Sequence, residues 1–238
     1  MNNTNRFDIF IIIFIAIVLF GLVVSFLVFG GSSPSSSPID AVDLMARGLA
    51  FEDAPLLGEK EAPATIVEFG DFQCIACVQF FALIEPQLRE RFVDTGKANI
   101  VFKPIAFIDR GSSLRESHLA GEAALCAQDQ GAFWEMHDAI YQAESDEVTQ
   151  NKTQENSGNL TRDFFSSVAN KSGIDTQQFL SCLDEGEKSD LLDEYMGDAN
   201  RALDGRVATP SVFVIKDGAA YKIQNPFDIR EYENIIGS

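Results

Sequence analysis

Residues 69–81 have the sequence FGDFQCIACVQFF, in which two cysteines stand three positions apart. The apolar run before them is typical of a strand, and the run after them is typical of a helix. At a helix start, unpaired backbone N–H groups and the helix dipole favour negative charge, which stabilises the thiolate of Cys74 and lowers its pKa. Cys77 follows one turn later, where it is better shielded and can resolve a mixed disulfide on Cys74. The pattern predicts a redox-active pair.

The sequence gives less support to two other uses of such a cysteine pair, a structural disulfide and a metal site. A purely structural disulfide across two intervening residues constrains very little of the chain. Zinc needs four ligands, and the remaining candidates are singly placed and distant in sequence: Cys126, Cys182, His118 and His137. The sequence therefore favours redox chemistry over a structural disulfide or a metal site. We expect neither a bound metal nor a cofactor.

The compartment follows from residues 9–30, IFIIIFIAIVLFGLVVSFLVFG, which carry no charged side chain. As a helix this segment would span roughly 33 Å, against a hydrocarbon core of about 30 Å. Arg6 precedes it and no Lys or Arg follows until Arg47, which predicts a cytoplasmic segment 1–8 and an extracytoplasmic remainder. We expect a single-pass protein of the cell membrane. A cleaved signal peptide is the alternative, because small residues follow the apolar run.

Residues 31–55 are predicted to be a linker, since they begin with GSSPSSSP, a composition that cannot bury a core. The part of the linker nearest the domain could instead form a short helix lying against it. The folded domain is placed at residues 56–238. The formal net charge of −18 makes a surface that repels phosphate backbones, so we expect no nucleic-acid partner.

The order of elements predicts an α/β domain. Residues 64–70 form a buried strand, a helix follows the cysteines, and residues 98–107 form a second strand. Residues from about 112 to 204 are predicted to be a helical block, interrupted by a polar loop at 145–159. A hairpin with an Asp217–Gly218 turn and a final helix complete the order β-α-β, helical block, β-β-α.

Three blocks in this order, TIVEFGDFQCIAC, GEAALCAQDQGAFWEMHDAIY and VATPSVFVI, resemble the DsbA-like thiol–disulfide oxidoreductases. The resemblance runs from about Leu56 to the C-terminus and is strongest to the membrane-anchored or exported branch. It implies a thioredoxin fold with a helical insertion, which agrees with the order of elements above. It also implies that Cys74 is the nucleophile and Cys77 the resolving cysteine.

The family's cis-proline loop falls on Thr209–Pro210. A cis X-Pro bond constrains a tight turn, and in this fold it brings the backbone of Thr209 beside the active sulfur. An extended substrate could pair with that backbone as an added strand. Without the resemblance, a trans proline at the start of a strand would be the simpler interpretation.

The resemblance also assigns a proton carrier. The family places a buried acidic residue on the strand that leads into the motif, and Glu68 stands there. A partly desolvated carboxylate has a raised pKa and could shuttle the proton of the Cys77 thiol. Asp71 is the competing candidate, which we expect at the strand end and in solvent.

Two further features bear on the redox chemistry. Exported relatives often carry a second cysteine pair in the helical block, which implies a structural Cys126–Cys182 disulfide closing a loop of about 57 residues, worth roughly 4 kcal/mol. The alternative is a second redox pair that relays electrons. Many relatives have proline directly after the first cysteine. In this sequence Ile75 and Ala76 separate the two cysteines, and neither adds a charge or a side-chain hydrogen-bond donor.

The expected function is a membrane-tethered enzyme that passes a disulfide from its cysteine pair to reduced exported proteins. A membrane partner, linked to quinone, would reoxidise it. A reductase or isomerase of the same fold is the first alternative, because direction follows the reduction potential of the pair. A thiol-based metal carrier is the second.

Overall fold

The structure is a computed structural model that describes residues 39–44, 51, 53–109, 113–150 and 155–237. The predicted cytoplasmic segment 1–8 and the predicted anchor lie outside the described residues. Within the described part of the chain, no helix combines the length and the apolar character that crossing a bilayer requires.

The described residues form one six-stranded sheet in the order β1-β6-β5-β3-β4-β2. The central strand β3 pairs parallel with β4 and antiparallel with β5. Every residue of β3 and β4 is buried, as expected for strands covered on both faces. The strands are β1 (Ile39–Asp40), β2 (Leu56–Leu57), β3 (Ala64–Gly70), β4 (Ala98–Pro104), β5 (Ser211–Lys216) and β6 (Ala219–Lys222).

Helices cover the sheet and fill the connection between β4 and β5. Two short helices and a π-helical segment, Arg89–Val93, link β3 to β4. The helices are α1 (Ala41–Leu44), α2 (Ile75–Leu83), α3 (Glu85–Leu88), α4 (Glu116–Gln128), α5 (Phe133–Thr149), α6 (Arg162–Lys171), α7 (Thr176–Glu185), α8 (Ser189–Ala202) and α9 (Ile229–Ile236). The predicted order of β-α-β, helical block and β-β-α, and with it the thioredoxin-like α/β class, is confirmed.

The alternation of side chains along β3 divides the core into two clusters. Val67 and Phe69 belong to a cluster shared with the inserted helices α4 to α8. Ile66 belongs to a second cluster that contains Phe80 of α2 and Tyr232 of α9. Helix α2, which follows the two cysteines, is therefore held against the sheet, and the inserted helices pack at the N-terminal end of α2.

The folded unit begins before residue 56, inside the segment 31–55 that was predicted to be linker. Ile39–Asp40 pair antiparallel with β6, and the following helix buries Leu44 in the core. A two-residue strand is too short to give an alternating pattern, and its partner lies far away in sequence. Edge pairing plus burial of one leucine offsets the cost of ordering this segment.

The polar loop predicted at 145–159 is also wrong in its first part, because α5 continues to Thr149. Val148 packs against the core, and Gln142 donates a side-chain hydrogen bond of 2.9 Å to Asp146, one turn further along the helix. Side-chain pairs four residues apart stabilise a helix, and the partly buried Val148 holds the last turn of α5 against the core.

Candidate active site

Cys74 and Cys77 are both free thiols at the N-terminus of α2. Cys74 is the N-cap residue, and its backbone N–H donates to the carbonyl of Asp71 at 3.0 Å, which closes the turn after β3. Cys74 keeps 8% of its surface exposed, whereas Cys77 is fully buried. Of these two residues, only Cys74 therefore keeps surface that another protein can reach.

The surroundings lower the pKa of the Cys74 thiol to about 6. The largest cause is a hydrogen bond from the Cys77 side chain, and burial acts in the opposite direction. The Thr209 side chain and the backbone N–H groups of Cys77 and Ala76 lower the pKa further. The last two donors are the unpaired N–H groups of the first helical turn that the sequence predicts.

The pKa of the Cys77 thiol is shifted in the opposite direction. Burial raises its pKa most, and the neighbouring Cys74 and the charge of Glu68 raise it further. At neutral pH the pair therefore holds one thiolate, on the accessible sulfur, and one neutral thiol beneath it. This arrangement can carry out thiol–disulfide exchange, in which a thiolate attacks or leaves at the outer position.

The Thr209–Pro210 peptide bond is cis and directly precedes β5. The carbonyl oxygen of Thr209 lies 3.4 Å from the Cys74 sulfur. Thr209 is partly exposed, while Pro210 is buried. The structure thus brings together two segments 135 residues apart in sequence, so that a backbone carbonyl borders the accessible sulfur.

Glu68 is buried on β3, opposite Phe102 of β4 and Val212 of β5. Burial raises its pKa well above the ordinary value, and the charges of Glu85 and Cys74 raise it further. Gly70 leaves the space that this carboxyl uses, since a Cβ there would lie 3.0 Å from Glu68 Oε1 and 2.5 Å from the Phe102 ring.

Asp71 is not solvated, which corrects the expectation from the sequence. It is fully buried, and burial raises its pKa to about 7 despite three hydrogen bonds that stabilise its charge. Its two carboxylate oxygens accept backbone N–H bonds from Gln73 at 2.9 Å and from Ile108 at 2.7 Å. The segment after β4 folds over the end of β3 and excludes water from this carboxylate. Two buried carboxylates, not one, therefore lie near the cysteine pair.

Sequence reasoning missed Gln73 and Glu116. Gln73, directly before Cys74, donates to Glu116 Oε2 at 3.0 Å. Glu116 is the first residue of α4 and also accepts the backbone N–H groups of Gly158 and Leu160 at 3.1 and 3.2 Å. These bonds fasten the active-site loop to the insertion. An acidic residue at a helix start is a common pattern, so the sequence held no distinctive signal for this role.

Among the described residues, one group of three side chains could in principle bind a metal ion. Oxygen and nitrogen atoms of Glu85, His137 and Asp138 lie within 4.8 Å of one another. Arg89 already occupies this position, donating from Nε to Glu85 Oε1 at 2.8 Å and from a terminal nitrogen to Asp138 Oδ2 at 2.9 Å. A guanidinium that holds both carboxylates makes the group an ion-pair network rather than a metal site.

Cys126 of α4 and Cys182 of α7 are joined by a disulfide. Both residues are buried, and their sulfurs are no longer available as metal ligands. The bridge ties two inserted helices together. That this bridge is structural, rather than a second redox pair, stays a prediction.

Comparison with known proteins agrees with this site. A thioredoxin family model matches residues 51–237. The probable disulfide bond formation protein D of Bacillus anthracis is 33% identical over 166 residues, which cover 69% of this chain and 71% of that protein. The chain belongs to the DsbA-like thiol–disulfide oxidoreductases. It is an enzyme with thiol–disulfide oxidoreductase activity.

Solved DsbA-like structures share the fold. The crystal structure of Chlamydia trachomatis DsbA superposes with a TM-score of 0.63 at 26% identity, covering 78% of this chain and 91% of that one. Oxidised BdbD from Bacillus subtilis gives a TM-score of 0.59 at 22% identity, covering 85% and 95%. The DsbA-like architecture, with helices inserted between β4 and β5, therefore extends over most of the described chain.

Proposed function

We propose that this oxidoreductase introduces disulfides into exported proteins through Cys74 and Cys77. The observation that carries the proposal is the opposite displacement of the two thiol pKa values, to about 6 for Cys74 and upwards for Cys77. A stable thiolate on the outer sulfur favours the reduced form of the enzyme, and an enzyme whose reduced form is stabilised is a strong oxidant. Electrons then flow from the substrate to the enzyme.

The reaction begins from the Cys74–Cys77 disulfide. A substrate thiolate attacks the sulfur of Cys74, the disulfide breaks, and Cys77 leaves as a thiolate that takes a proton from Glu68. A second thiolate of the substrate then attacks its own sulfur in the mixed disulfide. Cys74 leaves as a thiolate, the substrate gains a disulfide, and the enzyme has accepted two electrons.

Substrate would bind along the Thr209 backbone. The Thr209 carbonyl lies beside the Cys74 sulfur and the residue is partly exposed, which supports pairing with an extended segment of the substrate. Cys77 is fully buried, which argues against a metal carrier that would need both thiols. Glu68 is the proton carrier in this proposal, and the Cys126–Cys182 bridge is structural.

The enzyme would act outside the cytoplasm. Residues 9–30 would anchor it, residues 1–8 would lie in the cytoplasm, and a Ser/Pro-rich tether would carry the catalytic domain. A quinone-linked membrane protein would restore the disulfide, since the chain itself would carry no cofactor. Protease protection of a tagged chain in intact cells tests this orientation, because the domain should be accessible from outside.

The reduction potential of the Cys74–Cys77 pair tests the direction. The full chain is equilibrated with glutathione buffers, and the two thiols are counted by alkylation and mass spectrometry. A potential near about −120 mV supports a disulfide donor, while one near about −270 mV supports the reductase or isomerase alternative. The alternative has one observation in its favour: Ile75 and Ala76 add no side-chain donor to the Cys74 thiolate.

A further inference from the structure

We propose that the Cys126–Cys182 disulfide is a modification site for small thiols, which reach it through a cavity in the helical insertion. The cavity has a volume of about 140 Å³. Its lining consists of the two bridged cysteines and five polar residues, Asp129, Gln130, Gln178, Ser181 and Glu187. This inference goes beyond the function proposed above, in which the bridge is structural and passes no electrons to Cys74. It adds that a thiol from solution can open the bridge.

The cavity opens to solvent beside the bridge. The exposed residues of its lining are Asp129, Gln178, Ser181 and Glu187. Of the two bridged residues, Cys182 keeps 6% of its surface exposed and Cys126 keeps 1%. An attacking thiolate has to reach the sulfur to which it bonds, so access decides which of the two reacts. We therefore assign the attack to the sulfur of Cys182.

Hydrogen bonds that do not involve the sulfurs hold the walls of the cavity. Gln130, after the end of α4, donates from Nε2 to the carbonyl of Asp175 at 3.2 Å and accepts the Asp175 N–H at 2.8 Å. Asp175 is the N-cap of α7. The backbone N–H of Glu187 donates to the carbonyl of Cys182 at 3.1 Å, where the chain turns after α7. The cavity can therefore keep both walls when the disulfide opens.

The volume of the cavity limits the size of the thiol. A cavity of roughly 150 Å³ can hold benzene. A thiol as small as cysteamine or cysteine therefore fits within about 140 Å³. Glutathione, a tripeptide, would leave most of its atoms outside.

The charge of the lining limits the thiol further. The Asp129 carboxylate bonds to Lys188 Nζ at 2.7 Å, whereas the Glu187 carboxylate has no salt-bridge partner in the described part of the chain. Among the described residues, no lysine or arginine lines the cavity. Such a lining repels an anionic thiol and attracts an ammonium group. The site therefore fits a small thiol whose remaining atoms are neutral or positively charged.

The exchange balances without an added oxidant or reductant. The thiolate of the small thiol bonds to the Cys182 sulfur, the bond between the two protein sulfurs breaks, and Cys126 leaves as a thiolate. Cys126 also lines the cavity, so water there can supply its proton. One disulfide is consumed and one is formed. The reverse attack by the Cys126 thiolate releases the small thiol and closes the bridge again.

The test uses the full chain with Cys74→Ser and Cys77→Ser, in which the two remaining cysteines form the bridge. The protein is incubated with cysteamine without denaturant, quenched with acid at early times, alkylated and mapped by mass spectrometry. We expect cysteamine on Cys182 and the alkyl label on Cys126. With 3-mercaptopropionate, an anionic thiol of similar size, the rate per thiolate should be at least about threefold lower. Glu187→Gln should reduce this difference.

Two neighbouring glutamines of α7 provide a matched pair of variants. Gln177 and Gln178 are both exposed, but the lining of the cavity contains Gln178 and not Gln177. Gln178→Trp should obstruct the opening and slow the reaction with cysteamine at least about fivefold, because exchange depends on access to the sulfur. Gln177→Trp should react at the parent rate. Ser181→Tyr, a second change in the lining, gives the same readout if Gln178→Trp does not fold.

Three results would each overturn the proposal. The bridge could stay closed without denaturant and open only in urea, which would mean that unfolding exposes it. The tryptophan variants at 177 and 178 could react at equal rates, or cysteamine could be found on Cys126. Equal rates per thiolate with the two thiols would overturn the charge selectivity. Because the reaction does not use Cys74 or Cys77, it can fail while the function proposed above stands.

Discussion

Replacing Cys77 by alanine should raise the pKa of the Cys74 thiol. The hydrogen bond from the Cys77 side chain is the largest cause of the lowering to about 6. A hydrogen bond to a charged group contributes about 1.5–3 kcal/mol, which corresponds to roughly 1–2 pKa units. The thiolate fraction at neutral pH should then fall from about nine-tenths to between about one half and one tenth.

Cys77→Ser is the matched control, because its hydroxyl can still donate to the Cys74 sulfur. In both variants Cys74 is the one thiol left, since Cys126 and Cys182 are bridged. Thiolate absorbance in the ultraviolet and the rate of iodoacetamide alkylation, each against pH, give the pKa. The serine variant should titrate close to wild type and the alanine variant higher. If the two variants share one midpoint, the helix N–H groups, and not Cys77, stabilise the thiolate.

Further predictions concern pH, proton transfer and stability. The pKa of Cys74 is lower in the folded protein than in the unfolded protein. The unfolding free energy of the reduced protein, compared with that of the oxidised protein, should therefore rise by about 1.4 kcal/mol per pH unit from pH 6 towards 9. This stabilisation should be lost as the pH falls through 6. Glu68→Gln should slow disulfide opening at least about tenfold in rapid-quench experiments, since its proton carrier is gone. Cys126→Ala with Cys182→Ala should lower the unfolding free energy in urea by about 4 kcal/mol, because a loop spanning 56 positions is no longer closed. Gly70→Ala should cost about 1–3 kcal/mol in the same assay, as its Cβ would meet a phenyl ring of β4 at 2.5 Å.

Elements with a local signal could be predicted from the sequence. The buried run of β3 and the helical pattern after the cysteines each lie within one stretch of chain, and the Asp217–Gly218 turn defines its own hairpin. The short helix before the domain was one of two alternatives left open by the sequence, but the strand Ile39–Asp40 could not be predicted, because it forms only by pairing with β6, about 180 residues away. Such short edge strands depend on a partner that the local sequence does not show.

The same division applies to the site. The low pKa of Cys74 could be inferred in direction from its place at a helix start, but its largest cause is the side-chain contact with Cys77. The burial of Asp71 depends on the segment after β4, and the contacts of His137 depend on Glu85, about 50 residues earlier. Long-range packing decides these features. The resemblance to a family could name Glu68 but not the groups around it.

Two buried carboxylates near Cys77 raise the question of which one carries its proton. Asp71 accepts a backbone N–H on each of its oxygens, from Gln73 and from Ile108. Protonation of Asp71 would weaken the bond to the oxygen that takes the proton, which would loosen the loop that precedes Cys74. Its geometry therefore suits a fixed anchor of that loop. Glu68 has its carboxyl in the space left by Gly70 and a pKa raised first by burial and then by Glu85, so its environment favours a proton that is held until a thiolate forms nearby. This contrast supports Glu68 as the proton carrier over the residue that is closer in sequence.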